Sequence, residues 1–458
     1  MPSHNLKKKA HFISLGCARN QVDAEVMLGC LKESGWEISP EPEDAGLVVI
    51  NTCGFIESAK AESIDQILAM AALKEKNKNL KICVAGCLSQ RYRNRLAKGL
   101  PEVDLFIGTT EFPEIARLVE AGLPAGTIRA GSPERIYTDT LPRINTMKAG
   151  SAWVKIAEGC QHQCAFCIIP AIRGPLRSRT PADILRETTS LVGEGAREIN
   201  LIAQDLAAYG RDHGESDLYR LLQELVKVPD LAWIRLMYMY PENIRDELIE
   251  LMAASPKIVP YVDMPVQHAS DAVLQRMHRD VTREELRGVL GRLRRGVPGI
   301  AIRTSVMVGF PGETDDDFLQ LRDFVEEQRF DHLGCFVYSR EEGTVAGRLP
   351  DQVPAEVMEE RQAEIMALQR RISADRLAAY VGREMPVLVS GVSDESEYVF
   401  EGRLATQAPD VDGVVYITDG QVRPGQIQQV CISESHDYDL VGAIVDGDRQ
   451  NSSSVMEP

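Results

Sequence analysis

No apolar run in this sequence reaches the roughly 18 residues that a membrane span needs, so the chain is not expected to cross a bilayer. No secretory leader is expected either. Lys7, Lys8 and Lys9 are basic, but Phe12-Ile13-Ser14-Leu15 behind them is too short for a signal core, and a cytoplasmic protein is expected. Positive charge is scarce: 51 Lys and Arg face 68 Asp and Glu, a net charge of −17. Such a surface repels phosphate backbones overall and favours basic partners, although a local basic patch can still hold nucleic acid. No internal repeat is present, which sets aside stacked-repeat architectures. Cysteine, by contrast, is plentiful. Ten of them in a chain read as cytoplasmic argue against a disulfide framework, because cytosolic thiols stay reduced, and favour metal binding or catalysis.

The length of 458 residues suggests about three domains, and 44% hydrophobic content is enough for real cores. From residue 8 to about 122, short apolar runs alternate with helical patterns. Phe12–Leu15, Leu47–Ile50, Leu80–Val84 and Leu105–Ile107 read as buried strands. Val22, Val26 and Cys30 mark one helix, and a second is predicted from about Ser58 to Leu73. Alternation of this kind predicts a parallel sheet. A Gly/Pro-rich connector follows, from Gly122 to about Arg143. From 146 to 380, six strand-like runs (Trp153–Ile156, Glu198–Ile202, Trp233–Met239, Val259–Met264, Ala301–Val308, His332–Tyr338) alternate with helical patterns at Pro181–Val192, Asn243–Ala253, Arg283–Arg294 and Asp315–Glu327. Thr180, Pro181 and Asp183 form a clear helix start. Six such units fit a partial or complete β/α barrel, whose chemistry sits at the C-terminal ends of its strands. A charged amphipathic helix is predicted over Ala355–Tyr380. Residues 381–446 then read as a small all-β barrel, with strand runs at Pro386–Val389, Val414–Thr418 and Gln428–Ile432, and 447–458 as a disordered polar tail. The fold class expected is α/β, with the all-β barrel as its last module.

Chemistry concentrates where the first barrel strand ends, in Glu158-Gly-Cys-Gln-His-Gln-Cys-Ala-Phe-Cys-Ile-Ile-Pro. Cys160, Cys164 and Cys167 lie within eight residues and can wrap one compact metal centre. A structural zinc site would need a fourth ligand, for which His162 is the candidate. A 4Fe–4S cluster held by three thiolates instead keeps one iron open for chemistry. The CxxxCxφC spacing, with Phe166 before the third cysteine, resembles the signature of the radical S-adenosylmethionine (SAM) superfamily. That resemblance implies that SAM chelates the open iron and yields a 5′-deoxyadenosyl radical that abstracts hydrogen.

Three further cysteines each stand just past a predicted strand: Cys17 in Leu15-Gly-Cys-Ala-Arg-Asn, Cys53 in Asn51-Thr-Cys-Gly, and Cys87 in Gly86-Cys-Leu-Ser-Gln-Arg. In a parallel sheet those strand ends share one side, where ligands bind. Gly16 and Gly86 would let the backbone approach a bulky group. A single such cysteine would read as a small buried apolar residue; three together predict a second cluster. Cys83 competes with Cys87 on the same face, but lies inside the strand, so Cys87 is the choice. Cys30, Cys335 and Cys431 have no partners at ligand spacing and are expected in the core.

These contexts resemble the methylthiotransferase family, whose second 4Fe–4S cluster is held in LGCxxN, NTC and GC-L-x-Q-R. The resemblance runs from about His11 to Ala443. It implies this domain order, with the C-terminal barrel of the type called TRAM, and two 4Fe–4S clusters. It also implies two uses of SAM, as methyl donor and as radical source. Of the two main branches, one modifies an adenosine in transfer RNA and the other the β-carbon of an aspartate in small-subunit ribosomal protein twelve. Asn51-Thr-Cys-Gly-Phe-Ile-Glu-Ser, Ala203-Gln-Asp, Tyr209-Gly-Arg-Asp and Tyr338-Ser-Arg-Glu-Glu-Gly-Thr resemble the second branch; Ala207 stands where Thr is expected. Charge agrees. Between Val381 and Ala443 three Arg and no Lys face eleven acids, a net charge of −8, the wrong sign for gripping RNA and the right one for a basic ribosomal protein. The alternative on that count is a solvated acidic surface. The implied partners are ribosomal protein twelve, free or within the subunit, and an electron donor such as flavodoxin or ferredoxin, with no membrane and no direct transfer-RNA substrate.

Phe166 and Gln204 are the candidate SAM contacts, and no catalytic side chain is assigned. Arg173, Arg177 and Arg179 suit a carboxylate of SAM or substrate, or else local ion pairs. Gln204 and Asp205 end a barrel strand at the catalytic face. Val308-Gly-Phe-Pro-Gly-Glu-Thr could let backbone approach SAM or simply turn strand into helix. His268 is read as structural. A two-cluster electron carrier is the alternative from another class, disfavoured because carriers close their clusters with four ligands.

Overall fold

Runs of β-branched residues without a polar break, such as Leu47-Val48-Val49-Ile50, are covered on both faces, as parallel strands sandwiched between helices must be. In the computed structural model, which describes residues 8–214, 217–397 and 399–445, they build the first sheet. Its strands are β1 (Lys9–Ser14), β2 (Glu37–Ile38), β3 (Leu47–Thr52), β4 (Lys81–Gly86), β5 (Leu105–Ile107) and β6 (Thr127–Arg129), ordered β2-β1-β3-β4-β5-β6 and parallel throughout. The connecting helices are α1 (Ala18–Glu33), α2 (Glu57–Lys76), α3 (Cys87–Gly99) and α4 (Ile115–Glu120). Strand β6 corrects the expected end of this unit near 122. Three residues between Gly126 and a Pro-containing loop offer no periodicity to read, yet they add an edge to the sheet.

The second sheet holds β7 (Ser151–Lys155), β10 (Glu198–Ile202), β11 (Trp233–Leu236), β12 (Ile258–Asp263), β13 (Ala301–Val308) and β14 (His332–Val337), while β8 (Ala157–Glu158) and β9 (Arg177–Ser178) form a short antiparallel ribbon. The order β14-β13-β12-β11-β10-β7 leaves β7 and β14 unpaired at the edges, so the β/α barrel is open. Its helices are α5 (Ile169–Arg173), α6 (Pro181–Gly193), α7 (Leu218–Leu225), α8 (Asp246–Ala254), α9 (Asp271–Arg276), α10 (Arg283–Gly296) and α11 (Asp315–Gln328). The Thr180 side chain accepts from Asp183 N, as the start signal of α6 predicts. Strand faces divide the work by the period of two. Val154, Leu201, Leu236 and Val262 pack against the helices, while Trp153, Trp233, Met237 and Tyr261 face residues of the first sheet unit and of the C-terminal module.

Helix α12 (Ala355–Ala378) lies against β14 and α11 and leads into β15 (Glu384–Val392), β16 (Phe400–Leu404), β17 (Val415–Ile417), β18 (Ile427–Ser435) and β19 (Leu440–Ile444), a closed five-stranded barrel. Val387, Val389, Val415, Val430 and Ile432 fill it. Cys431, expected in the core, is exposed instead: it alternates with buried Val430 and Ile432 and so points outward. The end of β16 and the β16–β17 connection seat this barrel on the open sheet. Arg403 Nη2 meets Glu198 Oε2 at 2.5 Å, the Tyr261 hydroxyl donates to Asp412 at 2.7 Å, and Arg235 donates to Ala405 O at 2.8 Å. The polar tail expected at 447–458 lies outside the described residues. No described helix is long and apolar enough to cross a membrane.

Candidate functional site

Three strand ends of the first sheet bring Cys17, Cys53 and Cys87 together. Backbone crowding shows how tightly: a Cβ on Gly16 (φ +98°) would stand 3.0 Å from Cys53 Cβ, and one on Gly54 would stand 2.8 Å from the Leu88 backbone, next to Cys87. Gly86 turns the chain with φ +96°, a conformation that L side chains rarely adopt. The thiols feel one another's charge. Burial would raise Cys17, but Arg19, Arg173 and nearby backbone N–H groups hold it below its ordinary value. Burial dominates at Cys87 and pushes it up to about 11. Asn20 ties the loops, donating to Leu15 O at 3.0 Å and Thr52 O at 2.9 Å.

The second triad sits on the loop between β8 and α5. Cys160 N donates to Gly174 O at 3.1 Å and Cys167 N to Cys164 O at 3.0 Å, and Ala165 is held by Met277 O and Ala346 N. Burial raises Cys160 to about 11 and Cys167 to about 12. Tyr240, beyond the end of β11, places its hydroxyl 2.7 Å from Cys164 Sγ. His162 is committed elsewhere: it stacks on Tyr240 with centroids 3.7 Å apart, and its Nε2 lies 2.8 Å from Asp205. Asp205 also accepts from Asn243 and from two backbone N–H groups, so it braces the rim.

A buried ionic knot joins the two triads. Arg173, on α5 just behind Cys167, donates to Asp23 at 2.6 Å, Glu158 at 3.0 Å, Asn20 at 2.5 Å and Cys87 Sγ at 3.3 Å. Lys155 meets the same two acids at 2.5 and 2.6 Å. Two cations thus face two anions, all at most 4% exposed. Burial would raise Glu158, but Arg173 and Lys155 hold its carboxyl well below the carboxylate range. Arg173 therefore links the loops of the two triads. Arg179 likewise is buried on Asp183 and Glu187, and Arg177 donates to the Arg173 and Pro175 carbonyls. Gln204 Nε2 donates to Glu158 at 2.5 Å, while its Oε1 is buried without a hydrogen-bond partner. Phe166 is half-buried against Val273, Met277, Phe310 and Tyr338. The glycines of the Val308–Thr314 turn look elsewhere: Gly309 faces Met358 and Gly312 faces Arg276. His268 is buried and accepts from Ser270 N. Cys83 and Cys30 sit in the core, as does Cys335.

Asn20 closes the LGCxxN context, whereas Arg19, Tyr240 and the Asp23–Lys155 pair carry no motif of their own in the sequence. Only position points to them: Arg19 follows Cys17, and Tyr240 follows a barrel strand on the catalytic face.

Among the described residues no three His, Cys, Asp or Glu side chains converge as a single bound ion would require. Each site offers three thiolates, the number that holds a 4Fe–4S cluster and leaves one of its irons open.

An open β/α barrel whose first loop carries CxxxCxxC defines a radical SAM enzyme, here preceded by a parallel-sheet domain and followed by a TRAM barrel. Family profiles agree: Radical SAM superfamily at residues 154–325, uncharacterized protein family UPF0004 at 9–108, and TRAM domain at 381–445. The chain is 49% identical over 96% of its length to a protein of Syntrophotalea carbinolica named ribosomal protein uS12 methylthiotransferase RimO, and covers 97% of it. Namesakes from Geobacter sulfurreducens (47%, 96% of this chain and 99% of that one) and Myxococcus xanthus (49%, 96% and 92%) match equally well. The chain belongs to the RimO family. Among solved structures, the radical SAM methyltransferase TsrM of Kitasatospora setae, with cobalamin and a [4Fe-4S] cluster bound, shares the fold at a TM-score of 0.54 with 17% identity, over 74% of this chain and 77% of that one.

Proposed function

We propose that this chain inserts a methylthio group at the β-carbon of an aspartate in ribosomal protein uS12, using SAM both as methyl donor and as radical source. The observation that carries the reading is Arg173, which reaches from the loop of Cys160, Cys164 and Cys167 to Cys87 Sγ, in a chain that matches uS12 methylthiotransferases over 96% of its length. Cys17, Cys53 and Cys87 would hold one 4Fe–4S cluster, and Cys160, Cys164 and Cys167 the other, with SAM at the open iron. Bound there, these groups supply the reducing electron, the hydrogen-abstracting radical, and the sulfur and methyl to be transferred.

The protein's own task is placement. Arg173 donates to Cys87 from the loop of the other triad, and the Asp23–Lys155–Glu158 knot fixes that loop against α1. Gln204 is held by Glu158 with its carbonyl oxygen unused, a hydrogen-bond acceptor suited to a SAM amino group. Phe166 offers an apolar wall beside Cys167.

The C-terminal barrel supports a basic protein partner. Arg403 is spent inside on Glu198, while Glu384, Asp394, Glu395, Glu397, Asp419, Glu434 and Asp437 are exposed. We read residues 8 to about 129, 146–380 and 381–446 as the three domains, and the enzyme as cytoplasmic, taking electrons from a flavodoxin or ferredoxin and meeting uS12 free or in the subunit.

Anaerobic reconstitution should give about eight irons per chain. Mass spectrometry of uS12 from cells with and without the gene should show the methylthio mass only with it. A mass that persists without the gene refutes the reading, and a methylthio-adenosine lost from transfer RNA instead would favour the other branch.

A further inference from the structure

Arg19 takes no part in the ionic knot. It sits in the first turn of α1, yet its side chain leaves its own domain: Nη1 donates to Ala203 O at the rim of β10 at 2.8 Å, and the guanidinium lies 4.4 Å from the Tyr238 ring at the rim of β11. Ala203 precedes Gln204, whose amide holds Glu158 on the approach to the second triad. This cation therefore reaches from the loop of Cys17, two residues before it, to the rim of the open barrel beside the second triad. The neighbouring cations are differently placed. Arg173 is taken by Asp23 and Glu158, and Arg279 stacks on Tyr240 beside Cys164. Among the described residues no carboxylate lies within ion-pair distance of Arg19, although the charge of Glu158 reaches it, and Ala203 O is the single hydrogen-bond acceptor it meets. A guanidinium has five N–H donors in a fixed fork, so most of its hydrogen-bonding capacity is unspent in a half-buried place.

We propose that Arg19 receives the carboxylate of the target aspartate. The inference rests on the functional reading above and adds to it the residue that recognises the substrate side chain. A carboxylate held by a guanidinium, bidentate and charge-assisted, is fixed in plane as well as in place. The carbon to be modified is bonded directly to that carboxylate, so gripping the anion presents the β-carbon between the triads. An asparagine in the same position loses the charge and turns an N–H₂ group toward the N–H donors of Arg19. A site built to pair a polar group rejects the analogue lacking it, because its own donors are then left unpaired.

The test uses the full chain with both clusters under anaerobic conditions. The probes are recombinant uS12 and the same protein with its target aspartate replaced by asparagine. Wild-type enzyme is expected to bind the aspartate form about tenfold or more tightly, the scale of one charged hydrogen-bonded contact. Arg19→Met is expected to bind both forms alike, weakened for the aspartate form only, with iron content and substrate-free SAM cleavage unchanged. Arg19→Lys keeps the charge without the fork and should keep part of the preference. If Arg19→Met loses iron, Arg19→Gln, which keeps a polar donor without the charge, carries the test; it should lose the preference. A preference that survives in Met or Gln variants overturns the proposal and leaves Arg19 as a counter-charge for the clusters. Loss of substrate-free SAM cleavage would put Arg19 on SAM and overturn it as well. Wild-type enzyme that binds both uS12 forms equally sinks the assignment of Arg19 alone. Wild-type enzyme that binds neither form sinks the functional reading, and this proposal with it.

Discussion

Cys83 and Cys87 are only four residues apart in the chain, and what separates them is the turn at Gly86 that ends β4. Cys83 is 1% exposed inside β4 and packs among core residues. The positive φ of Gly86 swings Cys87 out of the strand and into α3, where it meets Asn20 and Arg173. This difference predicts a clean contrast. Cys87→Ala should drop the reconstituted iron from about eight to about four per chain and leave substrate-free SAM cleavage intact. Cys83→Ala should keep all the iron and lose only stability, about 1 kcal/mol for a small buried side chain. Equal iron loss in both variants would mean that Cys83 shares in holding the cluster. The cysteine positions were legible because strand ends can be read from apolar runs. For Arg173 the sequence leaves open a carboxylate of SAM or substrate and local ion pairs, and the structure pairs it with Asp23 and Glu158. A sequence shows a guanidinium near a carboxylate-binding loop, whereas its partners Asp23 and Asn20 lie 150 and 153 positions away and meet it only after the domains dock. Such long-range pairings leave no local periodicity.

Elements with strong patterns were readable, and those that exist by virtue of their neighbours were not. Strands β5, β10 and β13 fall at the predicted residues because their apolar runs are bounded by turns. The two-residue β2 and the edge β6 are stabilised by pairing rather than by sequence, and β16 and β19 are broken by glycines. Strand β10 carries another such surprise. Glu198 begins a strand of the open sheet, fully buried, against Arg235 and Arg403. Burial alone would raise its carboxyl, but the two guanidinium groups and Ser151 hold it at about 2, against an ordinary 4.5. A depressed carboxylate stabilises the fold above its unfolded value, and that contribution is lost as pH falls toward the folded one. The loss should therefore run from about pH 4.5 down to about 2 and total on the order of 3 kcal/mol. In urea unfolding of the cluster-free full chain, Glu198→Gln should be clearly less stable than wild type at pH 6. The gap should close by about 2 kcal/mol at pH 3. A gap that does not change with pH would mean that Glu198 is not the charged anchor of the C-terminal barrel.

At the scale of the whole molecule, the open barrel leaves β7 and β14 as free edges, and the N-terminal domain reaches the sheet at both. On the β7 side the anchor is the Asp23–Lys155–Glu158–Arg173 knot. On the β14 side it is Glu341, 2% exposed, which accepts from Lys60 of α2 and Arg91 of α3, each at 2.9 Å. The two anchors fix the first triad relative to the second, and neither touches a cysteine except through Arg173. Removing one should thus separate two properties that a single rigid site would lose together. Glu341→Gln leaves Lys60 and Arg91 facing an amide, and breaking a buried ion pair in this way costs about 3 kcal/mol or more. Helices α2 and α3 should then exchange amide hydrogens faster, while α1, held by the other anchor, should not. SAM cleavage depends on the second triad alone and should persist. Transfer of the methylthio group needs both triads in register and should fall, so that methylthiolated uS12 per 5′-deoxyadenosine drops several-fold. A variant in which cleavage and transfer fall in parallel, or in which exchange rises evenly over the whole domain, would show that the N-terminal domain is held as one rigid piece and not by two separable clamps.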